Sequence, residues 1–165
     1  MCQNGGTCVP EIRSGKPSFA CECKEGYTGR LCEKNASGCD DYLRYKPSAS
    51  PGLYKIHLDD QGKTKTVFCH FDRVNWQVWT LVLSYAFSNT DIFKGLSLSK
   101  DHPYNEDNPV FDQYRVSLAF MTDLKLKSSF WRATCNYDTK VNDDDYMQSS
   151  FASLDIFAHS KCNTF

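Results

Sequence analysis

Hydrophobic and polar residues follow short-strand patterns along most of the chain after residue 39. The run "CDDYLRY" indicates one or two helical turns, and "SPGLYKIHL" and "KTKTVFCHF" predict two strands around the turn "DDQG". "VWTLVLSY" predicts a third strand. Three further strand-like runs, "YRVSLAFM", "FWRATCNY" and "FASLDIFAH", are expected to complete a mixed sheet with the first three. The pattern therefore predicts an α+β fold for this part of the chain.

The first 33 residues are instead dense in cysteine and glycine. Four glycines there, Gly5, Gly6, Gly26 and Gly29, are expected to adopt positive φ in turns. A segment this small cannot bury enough apolar surface to fold without cross-links. The chain has nine cysteines in 165 residues and no CxxC pair, which favours disulfides over a metal site or a redox motif. We therefore expect an oxidising compartment outside the cytosol.

The strings "QNGGT" and "CECKEGYTGRLCE" make residues 1–33 resemble an EGF-like domain. The family has six cysteines paired first with third, second with fourth and fifth with sixth, and here the first is missing. The resemblance implies the bridges Cys2–Cys21 and Cys23–Cys32 and leaves Cys8 unpaired in this chain. We expect the missing cysteine and a signal peptide upstream of Met1. The alternative is that Cys8 is a free thiol in a complete protein.

Thr7 and Asn35 are the two modification signals in or beside this domain. Thr7 resembles the O-fucose acceptor of EGF-like domains, although a threonine there also serves as an ordinary turn residue. Ser14 stands where calcium-binding members carry a hydroxylated Asn or Asp, which argues against that variety. Asn35 begins the sequon Asn-Ala-Ser, an N-glycosylation signal within residues 34–38, which are expected to form an exposed linker.

The elements after the linker resemble the N-terminal part of a fibrinogen-related domain. A Cys-led helix precedes a G-x-Y strand, a V-F-C strand and a W-T strand, and the matching residues are Cys39, Gly52, Tyr54, Val67, Phe68, Cys69, Asp72, Trp79 and Thr80. The resemblance implies a Cys39–Cys69 bridge. Residues 39–165 lack the family's usual calcium and ligand subdomain, and the glycines that normally precede the Trp are absent. The bend is therefore expected at Asn75 and its neighbours.

Two cysteines remain, Cys135 and Cys162, and we expect them to form the last bridge. An EGF-like module followed by a shortened fibrinogen-like module is also similar to secreted proteins of the skeletal organic matrix of stony corals. That similarity rests on domain order and on the strings "WTLV" and "WRATC".

Charge and motifs exclude several function classes. Lys plus Arg is 19 and Asp plus Glu is 20, so the chain has no overall basic excess that would favour nucleic acid. No apolar run is long enough to span a membrane. No catalytic motif occurs, and we expect neither an enzyme nor a cofactor.

The candidate metal ligands lack the spacing that a site requires. The acidic triplet of residues 143–145, which comprises Asp143, Asp144 and Asp145, lacks the alternating spacing and glycine of a calcium loop. His57 and His70 lie on neighbouring predicted strands, without further ligands at metal spacing. We therefore expect no metal site.

The three tryptophans are the remaining candidates for binding. Trp79 and Trp131 are expected in the core, whereas Trp76 is expected to be exposed beside a polar turn, where it could stack on a sugar. The sequence therefore predicts a secreted matrix or adhesion protein that contacts extracellular proteins or glycans, and a skeletal matrix is one place for it. The alternatives are a fibrinogen-like lectin of innate recognition and, less favoured, an EGF-type receptor ligand.

Overall fold

A computed structural model of the chain describes residues 1–135 and 146–158. The chain divides into two compact units, one of residues 1–81 with 107–110 and one of residues 82–106 with 111–165. The boundary predicted at residues 34–38 therefore does not separate compact units, because the cysteine-rich module and the strands that follow it belong to the same unit.

The cysteine-rich module consists of two small hairpins. Strands β1 (Thr7–Arg13) and β2 (Lys16–Glu22) pair antiparallel, and β3 (Tyr27–Thr28) pairs antiparallel with β4 (Lys34–Asn35). Ser14 and Gly15 connect β1 to β2 with φ of +50° and +75°. Two consecutive left-handed residues match the right-handed twist of the flanking strands. Disulfides Cys2–Cys21 and Cys23–Cys32 cross-link the module, as the resemblance to EGF-like domains implies.

The glycines of this module have two different roles. Gly5, Gly26 and Gly29 have φ of +72°, +88° and +101°, which confirms the prediction of left-handed turns. The same prediction is wrong for Gly6, which is absent from the residues with positive φ. A Cβ on Gly6 would lie 2.7 Å from the Cys32 Sγ, so this glycine is required by close packing rather than by backbone conformation.

A short helix and a three-stranded sheet complete the first unit. Their bounds are α1 (Cys39–Tyr45), β5 (Gly52–His57), β6 (Thr64–Asp72) and β7 (Gln77–Thr80). The sheet is antiparallel with the order β5-β6-β7, and the Cys39–Cys69 disulfide joins the helix to the central strand. Alternate residues of β6 are buried, namely Lys65, Val67, Cys69 and Phe71. The helix and the first two strands were predicted from sequence, whereas the third ends earlier than predicted, before Leu81.

The segment between the two modules is packed rather than exposed. Ala36 is fully buried, its N–H donates to the Gly26 carbonyl at 2.8 Å, and its carbonyl accepts from the His57 N–H at 2.7 Å. The Tyr42 hydroxyl accepts from the Gly26 N–H at 3.0 Å and donates to the Lys55 carbonyl. The prediction of an exposed linker is therefore wrong at Ala36, because its backbone joins the cysteine-rich module to β5.

The second unit contains small sheets and short helices. Its elements are β8 (Leu83–Tyr85), a 3₁₀ turn (Phe87–Asn89), α2 (Thr90–Phe93), β9 (Gln113–Arg115), α3 (Leu118–Leu126), β10 (Phe130–Thr134) and β11 (Tyr146–Ser150). Strand β8 pairs with β9 and β10 pairs with β11, both antiparallel. Its buried apolar side chains include Phe93, Tyr114, Val116, Phe120, Met121 and Trp131.

The predicted mixed sheet is wrong in the part of the chain that the structure describes, where all strand pairs are antiparallel and lie in five separate sheets. The run "YRVSLAFM" changes from strand to helix, and "FASLDIFAH" has turns and no strand as far as Ala158. Two carboxylates accept hydrogen bonds from backbone N–H groups at the start of helix α3. Glu106 accepts from the Ser117 N–H at 3.0 Å, and Asp101 accepts from the Leu118 N–H at 2.7 Å. Acidic groups at a helix N-terminus satisfy its free N–H groups.

Candidate binding surface

The most exposed aromatic site of the first unit is the tip of the hairpin between β6 and β7. We call residues 73–76 the Trp76 tip. Val74 is 89% exposed and Trp76 is 77% exposed, so two apolar side chains project from a four-residue turn. A binding site that uses this tip would gain from burying both side chains.

Asp72 holds the turn in one conformation. Its Oδ1 accepts from the backbone N–H groups of Val74 and Asn75, each at 3.1 Å, and its Oδ2 accepts from the Asn75 side-chain amide at 2.9 Å. The hydrogen bond from the Asn75 side chain is the main reason that the pKa of Asp72 lies below its usual value. The prediction that Asn75 and its neighbours make this bend is confirmed.

Trp76 adopts a backbone conformation that residues with a side chain rarely adopt. Its φ is +53°, in the left-handed region. For a residue with a Cβ this region costs about 1–2 kcal/mol, and glycine, asparagine or aspartate usually occupies it. An exposed tryptophan at such a position contributes little to the core. Core packing therefore does not account for a tryptophan at this position.

The other two tryptophans differ from Trp76. Trp131 is 7% exposed and its Nε1–H donates to the Leu154 carbonyl at 2.8 Å, which confirms that it belongs to the core. Trp79 is partly buried on β7, opposite His70. Of the three, Trp76 is the most exposed to solvent.

Sequence reasoning missed a second apolar surface, on the β1–β2 hairpin. Pro10 lies opposite Phe19 and Ile12 lies opposite Pro17, so all four share one face of the hairpin. Ile12 is 79% exposed and Phe19 is 49% exposed. The alternation of apolar residues along β1 is a signal that could have found this face. It makes the cysteine-rich module a second candidate for contact with a partner.

Cys8 lies beside an existing disulfide. It is exposed, directly opposite Cys21 in the hairpin, and its Sγ lies 2.8 Å from the Cys2 Sγ. Among the described residues, Cys2, Cys8 and Cys21 are one group close enough to hold a metal. Because Cys2 and Cys21 are joined in a disulfide, this arrangement does not offer three thiolates.

The remaining candidates have different outcomes. Cys135 is exposed and has no disulfide to any described residue, while Cys162 and the triplet 143–145 lie outside the described residues, so the Cys135–Cys162 bridge stays a prediction. His57 lies opposite Thr64, and His70 lies at the other end of β6, so the two do not meet across the hairpin. Thr7 and Asn35 are both exposed.

Comparison with known proteins agrees with the geometry of the first module. A family model described as "EGF-like domain" matches residues 2–31. Residues 2–31 are an EGF-like domain. The match covers the β1–β2 hairpin and most of the two disulfide loops of that module.

Three curated proteins show the extent of similarity. A cubilin homolog of Caenorhabditis elegans is 33% identical over 70 residues, which is 42% of this chain and 2% of that protein. The protein eyes shut homolog of Pongo abelii is 55% identical over 38 residues, 22% of this chain and 1% of that protein. Protocadherin Fat 4 of Mus musculus is 53% identical over 32 residues, 19% of this chain and 1% of that protein.

The chain spans about 2% or less of the length of these relatives. No solved structure matches it significantly. Among the helices in the described residues, none has the length and apolar character needed to cross a membrane.

Proposed function

We propose that the chain belongs to a secreted matrix or adhesion protein that binds extracellular proteins or glycans and carries out no catalysis. EGF-like domains are among the disulfide-dense domains of secreted proteins. The observation that carries the proposal is the Trp76 tip, where a strongly exposed tryptophan occupies a strained position in a fixed turn.

The size of the Trp76 side chain makes it suitable as a binding anchor. An aromatic side chain buries 150–250 Å² at roughly 25 cal/mol per Å², so its full burial is worth about 4–6 kcal/mol before the costs of association. Residues that dominate protein interfaces are often tryptophans surrounded by weaker contacts. Val74, close by on the same turn, would supply one of those contacts.

The fixed turn increases what such an anchor contributes. A flexible loop loses conformational entropy when it binds, whereas a turn already fixed by three hydrogen bonds to Asp72 loses less. The same hydrogen bonds occupy both carboxylate oxygens of Asp72 and the side-chain Nδ2 of Asn75. The tip therefore favours apolar contact or ring stacking over recognition by many hydrogen bonds.

The proposal is tested by measuring binding of the full chain to immobilised extracellular-matrix proteins and to a glycan array. We expect at least one class of ligand to bind, and we expect Trp76→Ala to weaken that binding by about tenfold or more. Absence of binding to both classes at micromolar concentration would contradict the proposal.

A fibrinogen-like lectin is the second candidate. It is favoured by the order of α1, β5, β6 and β7 and by the Cys39–Cys69 bridge, which match the pattern of fibrinogen-related domains. Binding confined to the glycan array would favour the lectin.

A place in a skeletal organic matrix is a narrower form of the first proposal, and it is tested by recovery of the protein from mineral. An EGF-type receptor ligand would require receptor phosphorylation on addition of the chain.

A further inference from the structure

We propose that Asn35 carries an N-linked oligosaccharide that is attached before residues 35–41 fold. The inference rests on the proposed function in one respect, because only a chain in the secretory pathway meets the transferase. The inference is supported by the geometry of the sequon Asn35-Ala36-Ser37. The acceptor Asn35 is exposed, and the two following residues are fixed by hydrogen bonds.

The folded protein has room for a glycan at Asn35. The residue lies in the short strand β4 opposite Tyr27 and is exposed. No described residue forms a hydrogen bond with its side-chain amide. A sugar on this nitrogen would extend into solvent without displacing any contact of the fold.

The two following residues are fixed by the fold. Ala36 is fully buried and both of its backbone polar groups are hydrogen-bonded, one to Gly26 and one to His57. Ser37 donates both its N–H, at 2.8 Å, and its hydroxyl, at 2.9 Å, to Asp41 Oδ2. The middle of the sequon is therefore packed in the junction between the EGF-like domain and β5, and the exposed Ser37 is fixed at its edge by Asp41.

Glycosylation requires one group that the fold occupies, the Ser37 hydroxyl. The Asn35 Nδ2 attacks C1 of an oligosaccharide carried on a lipid pyrophosphate, a C–N bond forms, the bond from C1 to the phosphate oxygen breaks, and the amide loses one proton as the lipid pyrophosphate leaves. The sequon also requires the hydroxyl two residues after the asparagine. In the folded chain that hydroxyl is bound to Asp41, so the transferase reaches the complete sequon only before the junction forms.

Formation of the Cys39–Cys69 bridge ends the period in which the transferase can reach the complete sequon. Cys39 is two residues after the sequon, and its bridge closes a loop of sequence separation 30. Cys69 must leave the ribosome before the bridge can form. Asn35 therefore has an interval as an accessible acceptor while the next 34 residues are synthesised.

The first experiment expresses the full chain with a secretory leader in eukaryotic cells. We expect secreted protein to lose the mass of one glycan on treatment with peptide-N-glycosidase, and we expect Asn35→Gln and Ser37→Ala to show no such loss. Secreted, disulfide-bonded protein without the mass loss would overturn the inference and leave the proposed function intact. Protein retained in the cell with reduced cysteines would overturn the proposed function and the inference together.

The second experiment tests the order of events. The full chain is made in a host without N-glycosylation, and then both the folded form and a reduced, alkylated form are incubated with purified oligosaccharyltransferase and a lipid-linked oligosaccharide. We expect the unfolded form to be modified at least tenfold faster. Equal rates would overturn the claim that modification precedes folding.

A pair of variants isolates the contact with Ser37. Asp41→Ala removes the acceptor of both Ser37 bonds, whereas Asp40→Ala removes a neighbouring carboxylate that contacts Arg44 instead. With the Cys39–Cys69 bridge verified in each, folded Asp41→Ala should be modified several times faster than folded Asp40→Ala. Identical rates would show that the Asp41 contact does not protect the sequon.

Discussion

Replacing Tyr42 with phenylalanine removes one oxygen from the junction between the EGF-like domain and the three-stranded sheet. The Tyr42 hydroxyl accepts from the Gly26 N–H and donates to the Lys55 carbonyl, so two backbone groups lose a partner. Gly26 is buried. Leaving a buried polar group without a partner costs about 1–3 kcal/mol, so we expect the loss at Gly26 to destabilise the junction by about 1–3 kcal/mol.

Amide hydrogen exchange of the full chain measures this cost locally. The His57 N–H, which donates to the Ala36 carbonyl, exchanges only when the junction opens. A loss of 2 kcal/mol should raise its exchange rate by about 30-fold. The disulfides keep the EGF-like domain folded during such opening, so the effect is expected at Ala36 and His57 and not in the β1–β2 hairpin.

Tyr54→Phe is the matched control. The Tyr54 ring lies 4.5 Å from the Tyr42 ring, and its hydroxyl donates to the Ser50 carbonyl at 2.7 Å at an exposed site. We expect this variant to lose about 1 kcal/mol or less. Equal exchange rates in the two variants would refute the reasoning that Tyr42 holds the junction.

Three further predictions follow from single features. Peptide mapping without reduction should find Cys39 bound to Cys69 and Cys135 bound to Cys162, and a Cys69–Cys135 bridge would contradict the fibrinogen-like pattern. Gly6→Ala should lower the yield of correctly bridged chain on oxidative refolding, because its Cβ would lie 2.7 Å from the Cys32 Sγ. Gly52→Ala is the control: the nearest atom to its Cβ would be 3.9 Å away, so this variant should refold normally. The lowered pKa of Asp72 means that its contribution to the turn is complete above its ordinary value of 3.8 and is lost as pH falls through the lower folded value. Nuclear magnetic resonance of the Val74 and Asn75 amides should therefore show the tip unchanged at pH 5, and loosening already at that pH would be inconsistent with this assignment.

The parts of the fold that the sequence predicted are those whose signals are local. The cysteine spacing and glycine turns indicated the EGF-like domain, and the run "KTKTVFCHF" predicted strand β6, along which alternate residues are buried. The turn at Asn75 was predicted because no glycine was present to make it. Each of these signals lies within the segment of chain whose structure it specifies.

The features that were missed depend on distant residues. The whole run "YRVSLAFM", which begins at Tyr114, was interpreted as a strand, because a short apolar run does not distinguish a strand from a helix. The carboxylates that accept from the start of α3 lie at Asp101 and Glu106, outside that run. Ala36 is buried through bonds to Gly26 and His57, which the polar sequence around it does not reveal. Conversely, the exposure of Trp76 was predicted, but its left-handed backbone was visible only in the structure.

The most direct test of the proposed binding function compares two exposed aromatic residues in the same assay. Trp76 is 77% exposed in the fixed tip, and Phe87 is 95% exposed in a short 3₁₀ turn of the second unit. The full chain, Trp76→Ala and Phe87→Ala are each titrated against the matrix protein or glycan that binds the full chain. We predict that Kd rises by about tenfold or more for Trp76→Ala and stays within about twofold for Phe87→Ala. Equal affinities for all three proteins would contradict the assignment of the Trp76 tip as the binding site.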